Sequence, residues 1–386
     1  MATENTLTGL TKAQEIYNYR SRRARALRED GKKILGYFCC YPPLEIMTAL
    51  DFLPIRILGD MDEPITVADG YLPAVMCIFY RSCFDCGMKG RYDYLDGFVG
   101  AHACDGAERT SHIWQNYIKT PCNFFLDIPH TSRSEAVDYF KHQLVYFKET
   151  LEEFAGKKMD PEYLRETISL HNTQRSLVRE LYNLRKSDPP LITGSEVLTV
   201  IISIMMIPIE EGNTLLQEVI DEVKTRENVP EKKTGRLLIW GSLIDNTAFT
   251  DLIENSGFNI VVEDTALGAR PFWHDIELTD DPLEGLAKHY LEEVKCPRTF
   301  SQTGASYQED LDNRFGYLKE FAEHWKVNGV FGNIIRNCDI HGYEVPAVRD
   351  YLEGLGLPVL IIEQDYSTAS LEPLRTRFQA FSEVIG

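Results

Sequence analysis

Apolar and polar positions change rhythm several times along this chain, and the changes divide it into alternating strands and helices. Short apolar runs bounded by turn residues stand at 33–39, 54–58, 94–102 and 123–128. Runs of this length and character read as strands buried on both faces. Residues 11–33 carry a helical pattern, and Pro42-Pro43-Leu44-Glu45 opens another helix, because proline is tolerated in a first helical turn. Residues 72–90 read as mostly helical. From 134 to about 186, and again from 195 to 226, the pattern is helical and highly charged, broken once at Asp188-Pro189-Pro190. The polar, proline-containing stretch 227–234 reads as a linker. Alternation then resumes, with strands at 236–241, 258–263, 329–335 and 358–363. Helices are expected at 246–255, 282–294 and 308–327, from Tyr343, and at the end of the chain.

Strand alternating with helix implies parallel pairing through right-handed crossovers. The expected fold is α/β: two Rossmann- or flavodoxin-like parallel-sheet domains facing a cleft, with an intervening helical segment. The expected boundaries are an N-terminal helical arm at 1–32, a first α/β domain with its helical extension at 33–230, and a second α/β domain at 231–386. A chain of 386 residues is long for one core and suits this division. The formal charge of −19 argues against a general nucleic-acid binder, which would carry a basic face. One basic cluster goes against that trend: Arg20, Arg22, Arg23, Arg25, Arg28, Lys32 and Lys33. It is either a solvated helix face or a landing site for phosphates or an acidic partner. The most apolar run, 197–209, lies between Glu196 and Glu210 and has 13 residues. That is well short of the roughly 20 needed to cross a bilayer, so a buried helix is expected and no membrane partner. The first twenty residues lack the apolar core of a signal peptide, and a cytoplasmic location is expected.

Nine cysteines, an odd number in a large cytosolic chain, point to thiol, metal or redox chemistry rather than a disulfide framework. Two of them follow a repeated phrase. Asp96-Gly97-Phe98-Val99-Gly100 runs into Cys104-Asp105, and Asn328-Gly329-Val330-Phe331-Gly332 runs into Cys338-Asp339. In open α/β sheets ligands bind beyond the carboxyl ends of the strands, so both cysteines should face a site. Cys77 lies early in the helix before the third strand, on the same sheet edge. Cys338 comes two residues later after its strand than Cys104 does, about 7 Å of extended chain at roughly 3.3 Å per residue. The second loop is therefore expected to reach further or to turn sooner. Three thiols from two domains could hold a [4Fe–4S] cluster with one iron left for another ligand. A compact C-x-x-C-x-x-C run, as in an electron-carrier module, is absent from the sequence.

Cys77-x-x-x-Arg81-Ser82, followed by Leu95-Asp96-Gly97 through Cys104-Asp105-Gly106, resembles the 2-hydroxyacyl-CoA dehydratase and benzoyl-CoA reductase family. So do Pro43-x-Glu45-Ile46, the Thr265–Arg270 stretch TALGAR, the Cys338-Asp339 element, and the closing segment from Gly356 to Asp365-Tyr366. The resemblance covers roughly residues 30 to 386. It implies that Cys77, Cys104 and Cys338 hold a [4Fe–4S] cluster and that a homologous cluster-bearing subunit completes a heterodimer. It also implies that a separate ATP-hydrolysing iron–sulfur activator delivers single electrons at very low potential to an acyl-CoA thioester, giving a ketyl-type radical anion. In dehydratases that radical expels a β-placed leaving group; in benzoyl-CoA reductases it leads to dearomatisation of the ring. The cofactor carries the difficult step, and the protein supplies positioning, dryness and proton donors. The first choice is a catalytic subunit of an ATP-dependent benzoyl-CoA reductase. The alternatives are a 2-hydroxyacyl-CoA dehydratase subunit, a non-catalytic cluster-bearing scaffold, or a double-cubane cluster reductase. The last conflicts with the lack of cysteine at the positions such a cluster would require before the third strand and within TALGAR. No Gly-x-x-x-x-Gly-Lys-Ser/Thr loop occurs, so this chain is not expected to be a P-loop ATPase itself.

Other residues have two readings each. Glu45 is a candidate acid–base or substrate-contact carboxylate, or simply a glutamate favoured near a helix start. His102 is a candidate proton donor or cluster neighbour, or a packed histidine. Arg81, one helical turn after Cys77, offsets cluster or CoA-phosphate charge, or forms an ordinary ion pair. Arg270 is a candidate for the same cofactor-side roles. Phe272-Trp273-His274 lines an aromatic pocket or belongs to the core. Cys83 and Cys86 would share a helix face, but zinc needs two further ligands and none is spaced for it, so buried free thiols are expected. Cys39 and Cys40, at the end of the first strand, could border the cluster.

Overall fold

The computed structural model describes residues 8–300 and 306–386. Two four-stranded parallel sheets carry it, one in each half of the chain. The first is built from β1 (Ile34–Tyr37), β2 (Leu53–Arg56), β3 (Gly97–Ala101) and β4 (Cys122–Leu126) in the order β2-β1-β3-β4. The second uses β5 (Gly235–Gly241), β6 (Phe258–Asp264), β7 (Gly329–Ile335) and β8 (Val359–Gln364) in the order β6-β5-β7-β8. The orders are the same once strands are counted within each half, so β3 and β7 correspond. Every residue of β1, β3, β5 and β7 is buried, as strands covered on both faces require. The repeated phrase read from the sequence therefore marks equivalent strands of two similar sheets.

The helices are α1 (Gly9–Asn18), α2 (Arg22–Glu29), α3 (Leu44–Ala49), α4 (Ile78–Met88) and α5 (Asp105–Tyr117) up to the fourth strand. Four more, α6 (Ser134–Ala155), α7 (Pro161–Asn183), α8 (Gly194–Ile204) and α9 (Ile209–Thr225), fill the space between the sheets' sequences. The second half adds α10 (Thr247–Glu254), α11 (Pro282–Lys288), α12 (Tyr307–His324), α13 (Asp339–Gly354) and α14 (Glu372–Ile385). The long apolar run is α8, opened by a capping box in which Thr193 and Glu196 satisfy each other's backbone. Its apolar side chains are buried against α1 and α9. No helix among the described residues is long and apolar enough to cross a membrane.

Several boundaries differ from the sequence reading, each for a local reason. The expected helix over 11–33 is two helices broken at Tyr19-Arg20-Ser21. The expected helix over 72–90 starts only at Ile78, after Pro73 and a loop, and Cys77 is its N-cap. The helix expected from Tyr343 starts at Asp339 and accommodates Pro346 internally. Proline sits best in a first turn, and that preference points to a start four residues too late. The loop lengths also need correction. Cys104 is the third residue after the end of β3, and Cys338 is the third after the end of β7. The two extra residues extend the strand, seven residues against five, and the turns that follow are equally long.

Candidate functional site

With strand order 2-1-3-4, the chain leaves the sheet in opposite directions after the two central strands, and the carboxyl ends there open a crevice. The loop after β1 carries Cys39 and Cys40, the loop after β3 carries Cys104, the loop after β5 carries Ser242 and Asp245, and the loop after β7 carries Cys338. Cys77 enters the same edge from the start of α4.

Cys77, Cys104 and Cys338 are each the N-cap residue of the helix that follows. There the unpaired backbone N–H groups create a positive potential that favours a thiolate or another anion. The Cys104 sulfur already accepts the N–H of Ala107 at 3.4 Å. The loop before Cys77 and the turn before Cys338 are tied directly across the two halves. The Ile78 N–H donates to the Arg336 carbonyl at 3.3 Å. The Asn337 side-chain amide donates to the carbonyls of Ala74 at 3.2 Å and Met76 at 3.3 Å. Asn337 adopts a left-handed backbone (φ 62°), which asparagine tolerates better than most residues and which turns the chain sharply into Cys338. On the other side, a carbon added at Gly106 would stand 3.2 Å from the Cys77 Cβ, so the Cys104-Asp105-Gly106 turn packs directly on Cys77.

Burial pushes all three thiols up, Cys77 to about 12, and a charge on Cys338 would raise Cys77 and Cys104 further. They are close enough to feel one another electrostatically. Among the described residues no group of three or more His, Cys, Asp or Glu side chains converges on one point as a single ion would need. Cys77, Cys104 and Cys338 are nonetheless the residues that could hold a larger metal cofactor between the halves.

Around Cys338 the structure adds residues that the sequence reading missed. His341 Nδ1 lies 3.4 Å from the Cys338 sulfur. Its Nε2 lies 3.4 Å from the Arg270 guanidinium. Burial and then the charge of Arg270 hold this imidazole neutral. Arg270 is in turn fixed by Asp264 at 3.1 Å and lies 3.9 Å from the Cys296 sulfur. Arg270 is thus sealed in and reaches Cys338 through His341. The Cys-Asp-x-His spacing, one helical turn, was the available signal for His341.

The other candidates fall in different places. Arg81 pairs with Asp69 and the Ala74 carbonyl. His102 Nδ1 lies 2.8 Å from Asp127 and its Nε2 3.3 Å from Glu108, on a half-exposed surface. Cys83 and Cys86 are buried free thiols. Phe272 lines a cavity described below, whereas Trp273 packs on Phe321 and Trp325.

Glu45 is fully buried in the first turn of α3. It accepts the Arg175 guanidinium at 2.6 Å and the Tyr290 hydroxyl at 2.9 Å. Burial is the largest single influence and would raise its carboxyl, but the charge and hydrogen bond of Arg175 together with its other neighbours hold the group down to about 2. His171, 3.9 Å away, is itself pushed to about 4 by burial, so at neutral pH it is uncharged and Arg175 is the counterion. A carboxyl held this low stays ionised at neutral pH and is a poor proton donor. Glu45, His171, Arg175 and Tyr290 line a cavity of about 100 Å³ together with Cys39 and Cys40.

Asp245 is the opposite case. Burial raises it to about 6, with one oxygen on the Tyr366 hydroxyl at 2.5 Å and the other without a partner. An acid whose folded pKa lies above its unfolded one adds stability only below the unfolded value and loses it as pH rises through the folded one. Asp245→Asn is therefore expected to match the parent near pH 4 and to exceed it in stability above pH 6, by about 3 kcal/mol. Urea titrations across that range check it. A variant less stable than the parent at pH 8 would show that the carboxylate is needed.

The chain is similar to known proteins over most of its length. The model of the 2-hydroxyglutaryl-CoA dehydratase D-component family matches residues 39–385. A benzoyl-CoA reductase subunit of Thauera aromatica is 23% identical over 389 residues, covering 100% of this chain and 99% of that protein. The beta subunit of (R)-phenyllactyl-CoA dehydratase from Clostridium sporogenes is 24% identical, with 93% of each chain covered. The beta subunit of lactoyl-CoA dehydratase from Anaerotignum propionicum is 25% identical over 92% of this chain and 93% of its own.

Proposed function

The chain belongs to the 2-hydroxyglutaryl-CoA dehydratase D-component family, and on that footing we propose that it is the iron–sulfur subunit of an enzyme acting on acyl-CoA thioesters. The observation that carries this reading is the equivalence of Cys104 and Cys338, each a helix N-cap three residues beyond a corresponding strand, with Cys77 packed on the Cys104 turn and its neighbour Ile78 bonded to the turn before Cys338. Cys77, Cys104 and Cys338 would hold a [4Fe–4S] cluster. Their donor chemistry suits it: three thiols from two halves, each within electrostatic reach of another. When bound, the cluster would supply single electrons at low potential.

The chain's own residues would do the rest. The N-cap positions stabilise the ligating thiolates, and the N–H of Ala107 donates to the Cys104 sulfur. Neutral His341 faces the Cys338 sulfur and is oriented by Arg270, which Asp264 fixes. Such outer partners orient a ligand and tune its basicity. Glu45, anchored by Arg175, holds the Tyr290 hydroxyl at the wall of the smaller cavity.

Reduction of an aromatic acyl-CoA, as in the Thauera relative, is the first reading, because that relative is matched from end to end. Radical dehydration of a 2-hydroxyacyl-CoA is the second, favoured by dehydratase relatives of slightly higher identity, 24% and 25% against 23%. Either reading calls for a homologous cluster-bearing partner subunit and an ATP-hydrolysing iron–sulfur activator. The test is anaerobic turnover of the purified complex with benzoyl-CoA against 2-hydroxyacyl-CoA thioesters. Dienoyl-CoA formation selects the first reading, and enoyl-CoA formation the second. Turnover that survives removal of the thiols from this chain alone would leave it a cluster-bearing scaffold.

The packing at Cys77 gives a further expected result. Gly106→Val places carbon atoms against the Cys77 Cβ and the Tyr80 ring, where even a Cβ would sit at 3.2 and 3.1 Å. The variant should lose iron although no ligand has changed. Full iron content in a folded Gly106→Val protein would separate Cys77 from the cluster.

A further inference from the structure

Six arginines are buried among the described residues: Arg56, Arg175, Arg185, Arg236, Arg270 and Arg298. Five have oxygen partners. Arg175, Arg185 and Arg270 pair with Glu45, Glu263 and Asp264. Arg236 donates to the Trp325 carbonyl, and Arg298 to those of His102 and Ile128. Arg56 is the exception. It is 2% exposed, its Nε is sealed off without a partner, its guanidinium stands 5.6 Å from the centre of the Tyr37 ring, and it is within electrostatic reach of the Cys39 thiol, which it lowers. Burying an unpaired guanidinium is costly, and the cost is relieved when an anion from outside the chain completes it.

Arg56 ends β2 at the carboxyl edge of the first sheet and lines two cavities. One is the small cavity bordered by Cys39, Cys40 and Glu45. The other has a volume of about 810 Å³, within the range of small-molecule sites. Its wall includes Arg20, Arg22 and the rings of Tyr17, Tyr19, Tyr92 and Tyr94. Here the basic cluster noted in the sequence divides. Arg23, Arg25, Arg28 and Lys32 are ion-paired with Glu211, Asp93, Asp96 and Asp51. Arg20 donates to the carbonyls of Tyr17 and Asp245, lies over the Tyr17 ring at 4.4 Å and feels the Asp245 carboxyl without pairing with it, and Arg22 lies over the Tyr19 ring at 4.0 Å. Arg91, on the same wall, is neutralised by Asp60 and Glu63. Three guanidiniums without a carboxylate partner thus face this cavity, against the carboxyls of Asp62 and Asp245, in a chain whose formal charge is −19.

We propose that the larger cavity binds the phosphorylated nucleotide end of a ligand, with Arg20, Arg22 and Arg56 on its phosphates and the tyrosine rings beside its base. Guanidinium groups match phosphate oxygens in a fork geometry, and aromatic faces stack on any base. Assigning that nucleotide to the CoA handle of a thioester rests on the function proposed above. The remainder of such a ligand would pass Arg56 toward the cavity at Cys39 and Cys40. A free nucleotide such as ADP shares the chemistry and is the other source.

Calorimetry on the purified full chain with CoA, ADP, pantetheine and inorganic phosphate tests the site. CoA or ADP should bind, and Arg22→Ala and Arg56→Met should each weaken that binding about tenfold or more. Pantetheine, which lacks the nucleotide, should not bind. CoA binding more tightly than ADP identifies the thioester handle as the source, and equal affinity identifies a free nucleotide; either supports the site. Arg56→Met should keep or raise the melting temperature, because it removes an unpaired buried charge. A lowered melting temperature with unchanged CoA affinity would make Arg56 a structural residue and overturn the proposal. So would affinity unmoved by Arg22→Ala, binding of pantetheine as tight as CoA, or no nucleotide binding at all. Nucleotide binding that depends on these arginines, in a complex that turns over no acyl-CoA, would defeat the proposed function and leave the site standing.

Discussion

Replacing Cys77, Cys104 or Cys338 by serine is expected to strip the chain of its iron, while Cys83→Ser and Cys86→Ser keep the about four irons per chain of one cubane cluster. The contrast rests on where the thiols sit. The first three are helix N-caps at the facing edges of the two sheets, each within electrostatic reach of another. Cys83 and Cys86 lie inside α4, buried in the first half's interior, where burial raises both thiols and no positive helix end assists them. Serine keeps the size and the capping ability of cysteine, so each variant should fold, and far-UV circular dichroism serves as the control. Iron and acid-labile sulfide, measured anaerobically, should fall to near zero in the first set. Stoichiometric zinc without sulfide in the parent would defeat the cluster itself. Loss of iron on removing Cys83 but not Cys77 would defeat the ligand assignment.

The part of this site legible in the sequence was the part written in local pattern. Two buried strands with the same phrase announced the paired sheets, and Cys-Asp after each strand announced the shared edge. The helix starts at Cys77 and Cys338 were less legible. Pro73 and Pro346 each mark a helix boundary by rule, and the cap geometry decided otherwise at Pro346. The extra two residues before Cys338 read as loop because nothing in the pattern distinguishes a longer strand from a longer turn. What the sequence did not disclose were partnerships between distant residues. Arg175 and Tyr290 stand 130 and 245 residues from Glu45. The basic cluster showed seven cations but not which would find carboxylates, because those partners lie as far away as Glu211. Arg56 carries no sequence signal at all, since what marks it is the lack of a carboxylate partner among the described residues.

The buried trio at Glu45 should give the largest stability effect of any single substitution discussed. Arg175→Met removes the only charge that compensates a fully buried carboxylate, because His171 is neutral at working pH. Leaving one member of a buried ion pair alone costs about 3–5 kcal/mol, which is a large share of a typical folding free energy. Glu45→Gln has the converse defect: the guanidinium loses its carboxylate, although the Tyr290 hydroxyl and the Asn172 side chain remain nearby. The double variant Glu45→Gln/Arg175→Met leaves no buried charge and should recover much of the loss, so the two single costs will not add. The pH dependence has a definite sign. Glu45 is held at about 2 in the fold, below its ordinary value near 4.5. Its contribution is therefore complete above that ordinary value and drains away as pH falls toward 2. Urea unfolding at pH 7 and at pH 3 should show the Arg175→Met deficit shrinking at the lower pH, where Glu45 of the variant, freed of its counterion, is protonated. A deficit that is equal at both pH values, or single-variant costs that simply add in the double, would mean that Glu45 and Arg175 act through packing and not as a charge pair.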